Sequence, residues 1–412
     1  MALYAFDGTW NEDEEKATED SNVIRFRDLY EGPVEYRAGV GTRFGHLGRV
    51  LGGLFGVGGR SRIEEMYDAL RENWSRGDQV VDVVGFSRGS ALAIHFCNVL
   101  AERGFDTPSG ERVTPPIRFL GLFDTVASFG LSFDINHVIN FQDINVGWNV
   151  EKLPTNVQRC FHALALDERR ESFRPTRPEP ESADTQLVET WFRGVHSDIG
   201  GGNGNVERND IALAWMLRAA HDSGLPVSED AIDAIEGSAD LQAPIAENLD
   251  PKKDERRAVG ENDDIHPSAK STTLAVGESH EFDVRSEYKL DWSGLRMEAG
   301  AIYEFEVPGD QAWTDKGIRC DANGWKTERL RWFKEPVVRA LESRRRVPDA
   351  DWFELCGSAG DDEDRHFRIG KGGPERRYSA EVDADLYCFA NDLTSKYDNN
   401  EGELAVVVKR VS

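Results

Sequence analysis

A serine between two glycines is the first feature of this sequence that could do chemistry. The hexapeptide GFSRGS, residues 85–90, directly follows an apolar run that ends in Val84. A Gly-x-Ser-x-Gly turn between a strand and a helix lifts the serine hydroxyl out of the sheet. Ser87 is therefore a candidate nucleophile, with the backbone N–H of Arg88 as a candidate oxyanion donor. The alternative is a glycine-flanked turn in which Ser87 only caps the helix.

A serine hydroxyl needs a base to take its proton, and the base needs an orienting acid. Asp124 in LFDTVAS and His196 in WFRGVHSDIGGG each follow an apolar run, in the chain order Ser, Asp, His. Functional groups of open parallel sheets collect at the carboxyl ends of the strands, so we expect these three side chains to meet there. Asp198 is the reserve orienting acid. The alternatives are a turn aspartate at 124 and a core imidazole at 196.

A second source of oxyanion donors is the stretch FDGTWN, residues 6–11. We expect Gly8 and Thr9 to supply a further backbone N–H, with Asp7 fixing the loop. A haloacid-dehalogenase-type phosphatase would need an acidic nucleophile two residues before Asp7, where this chain has Ala5. The glycine-dense residues 41–59 lack the Gly-Lys-Ser/Thr ending of a phosphate loop, and predict either an apolar flap or a close-packed loop.

The elements that must position these residues alternate between short apolar runs and amphipathic stretches over residues 1–275, a pattern typical of an α/β unit. Strands are predicted at 3–6, 80–86, 117–126 and 187–195, and helices at 62–74, 91–104 and 209–224. The segment 161–176 is predicted to be helical or a loop. The fold class is accordingly α/β, a mostly parallel sheet with flanking helices.

Residues 276–412 follow a different period. AIYEFEV, residues 301–307, alternates apolar and polar positions, and four further short runs follow with turn residues between them. This alternation predicts an antiparallel β-sandwich, interrupted by a helical segment near residues 325–346. We place the boundary at 275/276, just after the charged stretch at 247–271, where apolar residues become rare.

Composition restricts the partners. Against 49 Lys and Arg stand 75 Asp and Glu, a formal charge of −26 that disfavours nucleic acid and anionic membrane surfaces. A lipid substrate would have to be reached through apolar surface or a bridging cation. Five cysteines without a CxxC spacing favour reduced thiols over a disulfide framework or a thiolate metal site. No leader or transmembrane segment is predicted, and we expect synthesis in the cytoplasm.

The ordered set FDGTWN, SNVIRF, YRAGVGT, GFSRGS, FDTVAS, HALALDERR, WFRGVHSDIGGG and IHPS resembles the catalytic domain of the type VI secretion lipase effectors (Tle-like phospholipases). The resemblance covers residues 1–275 and implies an α/β-hydrolase fold. It also implies that Ser87 is the nucleophile, Asp124 the acid and His196 the base, acting on a phospholipid ester without a cofactor. The membrane-associating insertions of the large effectors are absent.

Residues 276–412 resemble the calcium-dependent galactophilic lectins of the LecA type. The resemblance rests on AWTDKGIRCDANGW, ELCGSAG and FANDLTSKYDNNEGELAVVV. It implies a structural Ca²⁺ held by Asp392, Asn399 and Asn400, and hard oxygen ligands of this kind suit calcium. A simple Asn/Asp turn is the alternative. The sugar-contacting loop of the lectins has no counterpart here.

The sequence thus predicts a serine esterase that cleaves a phospholipid acyl ester through an acyl-enzyme, with a glycan or protein partner for the lectin-like domain. Two alternatives remain open: a calcium-dependent carbohydrate- or surface-binding protein with a degenerate hydrolase module, and an amidase or deacylase acting on a non-lipid acyl substrate. The expected place of action is the cytoplasm, a membrane surface or another cell after delivery.

Overall fold

The computed structural model describes most of the chain and divides it into two compact units, Met1–Ala269 and Lys270–Ser412. The sequence places the domain boundary at 275/276, a few residues further along. The described residues are 1–8, 19–38, 58–107, 109–127, 149–170, 173–241, 243, 245–246, 257–260, 263–330, 338–360 and 362–412.

The first unit alternates strands and helices. Its helices are α1 (Asn22–Leu29), α2 (Gly58–Ser75), α3 (Arg88–Arg103), α4 (His196–Gly200), α5 (Val206–Asp222) and α6 (Glu229–Ser238). Its strands are β1 (Ala2–Phe6), β2 (Val34–Arg37), β3 (Val81–Phe86), β4 (Phe105–Asp106), β5 (Arg112–Val113), β6 (Ile117–Phe123), β7 (Lys152–Leu153), β8 (Arg159–Ala165), β9 (Glu179–Pro180), β10 (Gln186–Phe192) and β11 (Asp264–Ile265).

Seven of these strands form one sheet in the order β11-β10-β8-β6-β3-β1-β2. Every pairing within it is parallel. Central strands of such a sheet are covered on both faces, which explains why all six residues of β3 are buried. One face packs on α2 and α3 around Met66 and Phe96. The other packs on α1 and α5 around Phe26 and Met216. The predicted α/β fold class is confirmed.

One element prediction was wrong. The segment 161–176 was expected to be helical or a loop. Its first part instead belongs to β8, residues 159–165, which pairs with β6 on one side and β10 on the other. Cys160 and residues 162–165 are buried, so both faces of the strand lie in the core. Alanine and leucine favour helix when considered alone. Here the pairing with two neighbouring strands overrides that preference. As a result, β8 lies between β6 and β10 in the sheet.

The second unit contains only short helical turns and strands among its described residues. Its strands are β12 (Ser279–Arg285), β13 (Asp291–Met297), β14 (Ile302–Glu306), β15 (Trp313–Asp315), β16 (Ile318–Cys320), β17 (Leu355–Ala359), β18 (His366–Arg368), β19 (Tyr378–Ser379), β20 (Ala384–Ala390), β21 (Asn400–Glu401) and β22 (Glu403–Arg410).

Two four-stranded antiparallel sheets form this unit, in the orders β12-β22-β14-β19 and β13-β20-β17-β18. Their inward side chains share one core that includes Tyr303, Phe305 and Leu386. This is the arrangement that the alternating pattern predicts. A three-stranded sheet, β16-β15-β21, adjoins the 391–400 loop. Within the predicted helical interruption, residues 338–339 are helical and Glu342–Arg344 form a 3-10 turn, while residues 331–337 lie outside the described part.

None of the helices in the described part of the chain combines the length and apolar character that a bilayer crossing requires.

Candidate active site

The turn between β3 and α3 holds Ser87 in a conformation that L-residues rarely adopt. Its φ is 58° and its ψ is −123°, and its N–H donates to the carbonyl of Phe123 at 2.9 Å. The flanking glycines allow this close turn. A Cβ on Gly85 would lie 2.7 Å from Cα of Ser90, and one on Gly89 would lie 2.5 Å from the carbonyl oxygen of Asp7. The backbone therefore presents the hydroxyl beyond the end of the sheet.

Asp124 follows β6, the strand next to β3. It also has a left-handed backbone, with φ 40°, and its N–H donates to the carbonyl of Ala163 at 2.8 Å. The N–H of Ala165, at the end of β8, donates to Asp124 Oδ1 at 2.9 Å. The carboxylate is wholly buried. Two neighbouring strand ends thus fix its position.

His196 lies between the other two residues. Its Nε2 is 2.8 Å from Ser87 Oγ, and its Nδ1 is 2.6 Å from Asp124 Oδ2. The imidazole packs against the ring of Phe86 at 4.7 Å and, edge to face, against Phe173 at 4.8 Å. The structure brings together the three side chains that the sequence singled out, in the geometry of a nucleophile, base and orienting acid.

Burial and charge act in opposition on the two titratable partners. Burial alone would raise the pKa of Asp124, but the Arg257 guanidinium and the hydrogen bond with His196 hold it well below its usual range. Burial lowers the pKa of His196 below its ordinary value, although the hydrogen bond with Asp124 opposes the shift. The acid is therefore ionised and the imidazole neutral near neutral pH, as a general base must be.

Glu168 holds the backbone of the histidine. Its carboxylate accepts the backbone N–H of His196 at 3.2 Å and is bound by Arg170 at 2.8 and 2.7 Å. Burial would raise the pKa of Glu168, but Arg170 brings it below the ordinary value. Both residues belong to the motif HALALDERR, but sequence reasoning gave them no role. The sequence signal that could have indicated them was a group of charged residues directly after the apolar run HALAL.

Arg257 is a further residue that sequence reasoning missed. Its guanidinium contacts both carboxylate oxygens of Asp124, at 2.5 and 3.0 Å, and its side chain is only 5% exposed. It belongs to a charged stretch whose composition indicates a linker. No local pattern distinguishes it from its neighbours, and only the tertiary fold reveals its partner.

The FDGTWN residues are placed in part. Asp7 accepts hydrogen bonds from the hydroxyls of Ser21 at 2.7 Å and Tyr36 at 3.0 Å. The N–H of Gly8 donates to Asp7 Oδ1 at 2.6 Å. It is thus occupied in this arrangement, and its oxyanion role stays a prediction. Thr9 and residues 41–57 of the predicted flap lie outside the described residues.

Arg88 begins α3, where the first N–H groups of a helix have no intrahelical acceptor. The oxyanion role of its N–H stays a prediction. Asp198, the reserve orienting acid, makes no hydrogen bond to the imidazole in this structure but binds backbone N–H groups. Its buried carboxylate accepts the N–H of Val195 and of Ala246, both at 3.0 Å, while Asp124 occupies Nδ1 of His196.

The predicted calcium ligands lie in the second unit with their oxygens buried. Asp392 Oδ2, Asn399 Oδ1 and Asn400 Oδ1 have no hydrogen-bond partner among the described residues. Burial, reinforced by the charge of Asp315, raises the pKa of Asp392 to about 6. No cluster of three or more His, Cys, Asp or Glu side chains suited to a metal occurs in the described ranges. The predicted site at 392–400 is of another kind than such clusters, because its donors are one carboxylate and two amide oxygens.

The sequence matches a known family model. The profile described as "T6SS, Phospholipase effector Tle1-like, catalytic domain" matches residues 3–112 and 102–219, more than half of the chain. The matched region contains Ser87, Asp124 and His196, and ends before Arg257. No protein of curated function matches the chain at a significant level.

Several solved structures show some similarity, among them the following three. An uncharacterized Pseudomonas aeruginosa protein is 23% identical, with a TM-score of 0.39 over 57% of this chain and 48% of its own, so the chain spans about half its length. The Tle1 effector bound to the VgrG spike is 16% identical, with a TM-score of 0.37 over 99% of this chain and 68% of its own. The EclA N-terminal domain, a PllA-like lectin, is 18% identical, with a TM-score of 0.23 over 32% of this chain and 95% of its own.

Proposed function

The chain belongs to the family of type VI secretion phospholipase effectors with a Tle1-like catalytic domain, and we propose that its first unit cleaves a carboxylic ester of a phospholipid through Ser87. The family is one of phospholipase-type hydrolases. The observation that carries the finer proposal is the continuous contact from Ser87 Oγ to His196 Nε2 and from His196 Nδ1 to Asp124, at 2.8 and 2.6 Å.

The reaction follows from these contacts. His196 Nε2 takes the hydroxyl proton of Ser87 as the oxygen attacks the ester carbonyl carbon. The oxyanion that forms is stabilised by backbone N–H groups at the start of α3, where the helix dipole is positive. His196 then gives the proton to the leaving alcohol, and the acyl group remains on Ser87. Water, deprotonated by the same imidazole, releases the fatty acid and restores the serine.

The substrate class is tested by following lipid products. The full chain is incubated with phosphatidylcholine, phosphatidylethanolamine or phosphatidylglycerol vesicles, and released fatty acid and lysophospholipid are measured by mass spectrometry. We expect Ser87→Ala to lower the rate by a factor on the order of 10³ or more, since triad serines are worth that much.

Ser90→Ala is the matched control for this assay. Ser90 is also buried in the first turn of α3, but its hydroxyl donates to the carbonyl of Phe123 rather than to the imidazole. The Ser90→Ala variant should therefore retain most of the wild-type lipase activity. Equal product release by wild type and Ser87→Ala contradicts the proposal. Turnover of acyl amides with no lipid product favours the amidase alternative.

We also propose that the second unit binds Ca²⁺ through Asp392, Asn399 and Asn400. The three unpartnered buried oxygens support this, because buried polar atoms without a partner are costly. Calcium prefers carboxylate and amide oxygens. When bound, the ion would neutralise the buried Asp392 carboxylate and tie the 391–400 loop to the strands beside it. A glycan or protein partner for this unit remains part of the same proposal.

A further inference from the structure

Asp124 is held by more donors than an orienting acid needs. Besides the imidazole, its carboxylate accepts the Ala165 N–H at 2.9 Å and both terminal nitrogens of Arg257, at 2.5 and 3.0 Å. The Arg257 guanidinium also donates to the carbonyl oxygens of Ala165 and Phe173. A bidentate arginine fixes the plane of a carboxylate as well as its charge.

The segment that carries Arg257 is anchored at its other end. We call residues 257–260 and 263–266 together the clamp segment. The carboxylate of Asp263 accepts hydrogen bonds from the Arg177 guanidinium, at 2.9 and 2.8 Å, and from the indole N–H of Trp191, at 2.9 Å. The N–H of Gly260 also donates to Asp263, at 2.8 Å.

Backbone pairing adds a second anchor to the clamp segment. β11 pairs with Thr190 and Trp191 of β10, and the N–H of His266 donates to the carbonyl of Trp191 at 2.9 Å. Because ion pairs and a parallel strand pairing both hold the far end, the reach of Arg257 to Asp124 is set by the fold. A flexible surface arginine would lack this constraint.

We propose that Arg257 is a positioning residue of the triad, delivered by the clamp segment, which keeps Asp124 ionised and oriented toward His196. This inference rests on the proposed function, because it gives Arg257 a part in the same reaction. The residue lies beyond the region matched by the family profile, which ends at 219. It is therefore a feature of this chain that the family match does not supply.

The charges around the imidazole determine the direction of the pH effect. His196 faces Asp124 and Glu168, which favour its protonated form, and Arg257, which disfavours it. Glu168 is itself neutralised by Arg170. Without Arg257, the Asp124–His196 pair would take up a proton at a higher pH, whichever of the two binds it. Since only neutral His196 can accept the serine proton, the acidic limb of the kcat/KM profile would move to higher pH.

The chain offers a matched control for removing such a contact. Arg118 and Asp82 form another bidentate pair, at 2.9 and 2.5 Å, at the amino ends of β6 and β3. Asp82 is wholly buried, as Asp124 is. The two strands are the same ones that end at Asp124 and Ser87. Arg118→Gln therefore breaks an Arg–Asp pair in the same sheet, with a buried carboxylate and a partly exposed arginine, without touching the site.

The test compares wild type, Arg257→Gln, Arg257→Lys and Arg118→Gln as full chains. The kcat/KM of a soluble ester is measured against pH, and the His196 imidazole is titrated by NMR, with its signal assigned by its loss in His196→Gln. We expect Arg257→Gln to lower kcat on the order of 10- to 100-fold, because small displacements of a catalytic group cost this much. Its acidic limb and its imidazole titration should both move to higher pH.

The remaining variants complete the test. Arg257→Lys keeps the charge but not the fork, so it should restore the wild-type pH limb and part of the rate. Arg118→Gln should leave both profiles in place even where it lowers stability. A folded Arg257→Gln with the wild-type limb and titration overturns the inference, as does an equal shift in Arg118→Gln. If the wild type turned over neither the soluble ester nor the phospholipid vesicles, the proposed function would fail instead, while the NMR titration would still test Arg257.

Discussion

Two residues of the site are held in backbone conformations that cost free energy. Ser87 and Asp124 have φ values of 58° and 40°, and non-glycine residues in this region carry a strain of about 1–3 kcal/mol each. Both follow directly on neighbouring parallel strands, so the sheet fixes the backbone that leads into them. Hydrogen bonds from both backbone N–H groups, to the carbonyls of Phe123 and Ala163, help to hold the strained conformations.

Gly89 is the residue whose replacement should disturb this arrangement most. A Cβ there would lie 2.5 Å from the carbonyl oxygen of Asp7 and closer still to that of Phe6. We predict that Gly89→Ala forces β1 and α3 apart, lowers the free energy of unfolding by about 1–3 kcal/mol, and reduces ester hydrolysis. Thermal melting and turnover of a soluble ester measure the two effects.

Gly237 is the control for this substitution. It lies in α6, and a Cβ at this position would have no atom within 4 Å. Gly237→Ala should therefore stabilise the chain by up to about 1 kcal/mol without altering turnover. A Gly89→Ala variant with the melting temperature and activity of the wild type would show that the turn is looser than the backbone distances indicate.

At the scale of elements, the sequence predicted those strands and helices whose residue pattern is evident within the segment itself. The strands before Ser87 and Asp124 were predictable because each is a mostly apolar run of strand length that ends at a polar residue. β8 was not, because its alanine- and leucine-rich residues favour helix until β6 and β10 enclose them. Its burial on both faces depends on pairings with distant parts of the chain.

The clamp segment was unpredictable for a related reason. Charge and glycine around residues 247–263 indicate a linker when read locally. In the structure, Asp263 and Arg257 of this stretch face partners that lie 86 and 133 residues away in sequence. A two-residue strand such as β11 has too few positions to show a period. Pairwise contacts over such separations leave no trace in a single sequence.

At the scale of the whole molecule, the two units place different chemistry on one chain. The parallel sheet carries the candidate hydrolase site and the sandwich carries the buried oxygens at 392–400. The raised pKa of Asp392, about 6, determines how the second unit should respond to pH. Its folded-state pKa exceeds that of an unfolded aspartate, about 3.9. Without calcium, ionisation of Asp392 therefore destabilises the fold as pH rises through 6.

Calcium should reverse that destabilisation. We predict that millimolar Ca²⁺ raises the melting temperature of the sandwich unit at pH 8, and that the gain shrinks as pH falls through 6 because protons compete for Asp392. Saturation at 100 times the Kd is worth about 2.7 kcal/mol. Differential scanning calorimetry with calcium or a chelator measures the effect.

Asp392→Asn should abolish the calcium response while remaining at least as stable as the wild type in chelator at pH 8, since it removes a buried charge. Asp310→Asn, at an exposed position, provides the control and should respond to calcium as the wild type does. A calcium-dependent shift that persists in Asp392→Asn would place the ion elsewhere.

The central claim is that Ser87 is a nucleophile activated by His196. Treatment of the full chain with a fluorophosphonate, followed by intact-mass measurement and peptide mapping, tests it most directly. We predict a single adduct on the peptide containing Ser87, which is lost in Ser87→Ala and formed far more slowly in His196→Gln. An unmodified Ser87 in the folded wild type, or an adduct that survives in Ser87→Ala, would contradict the claim.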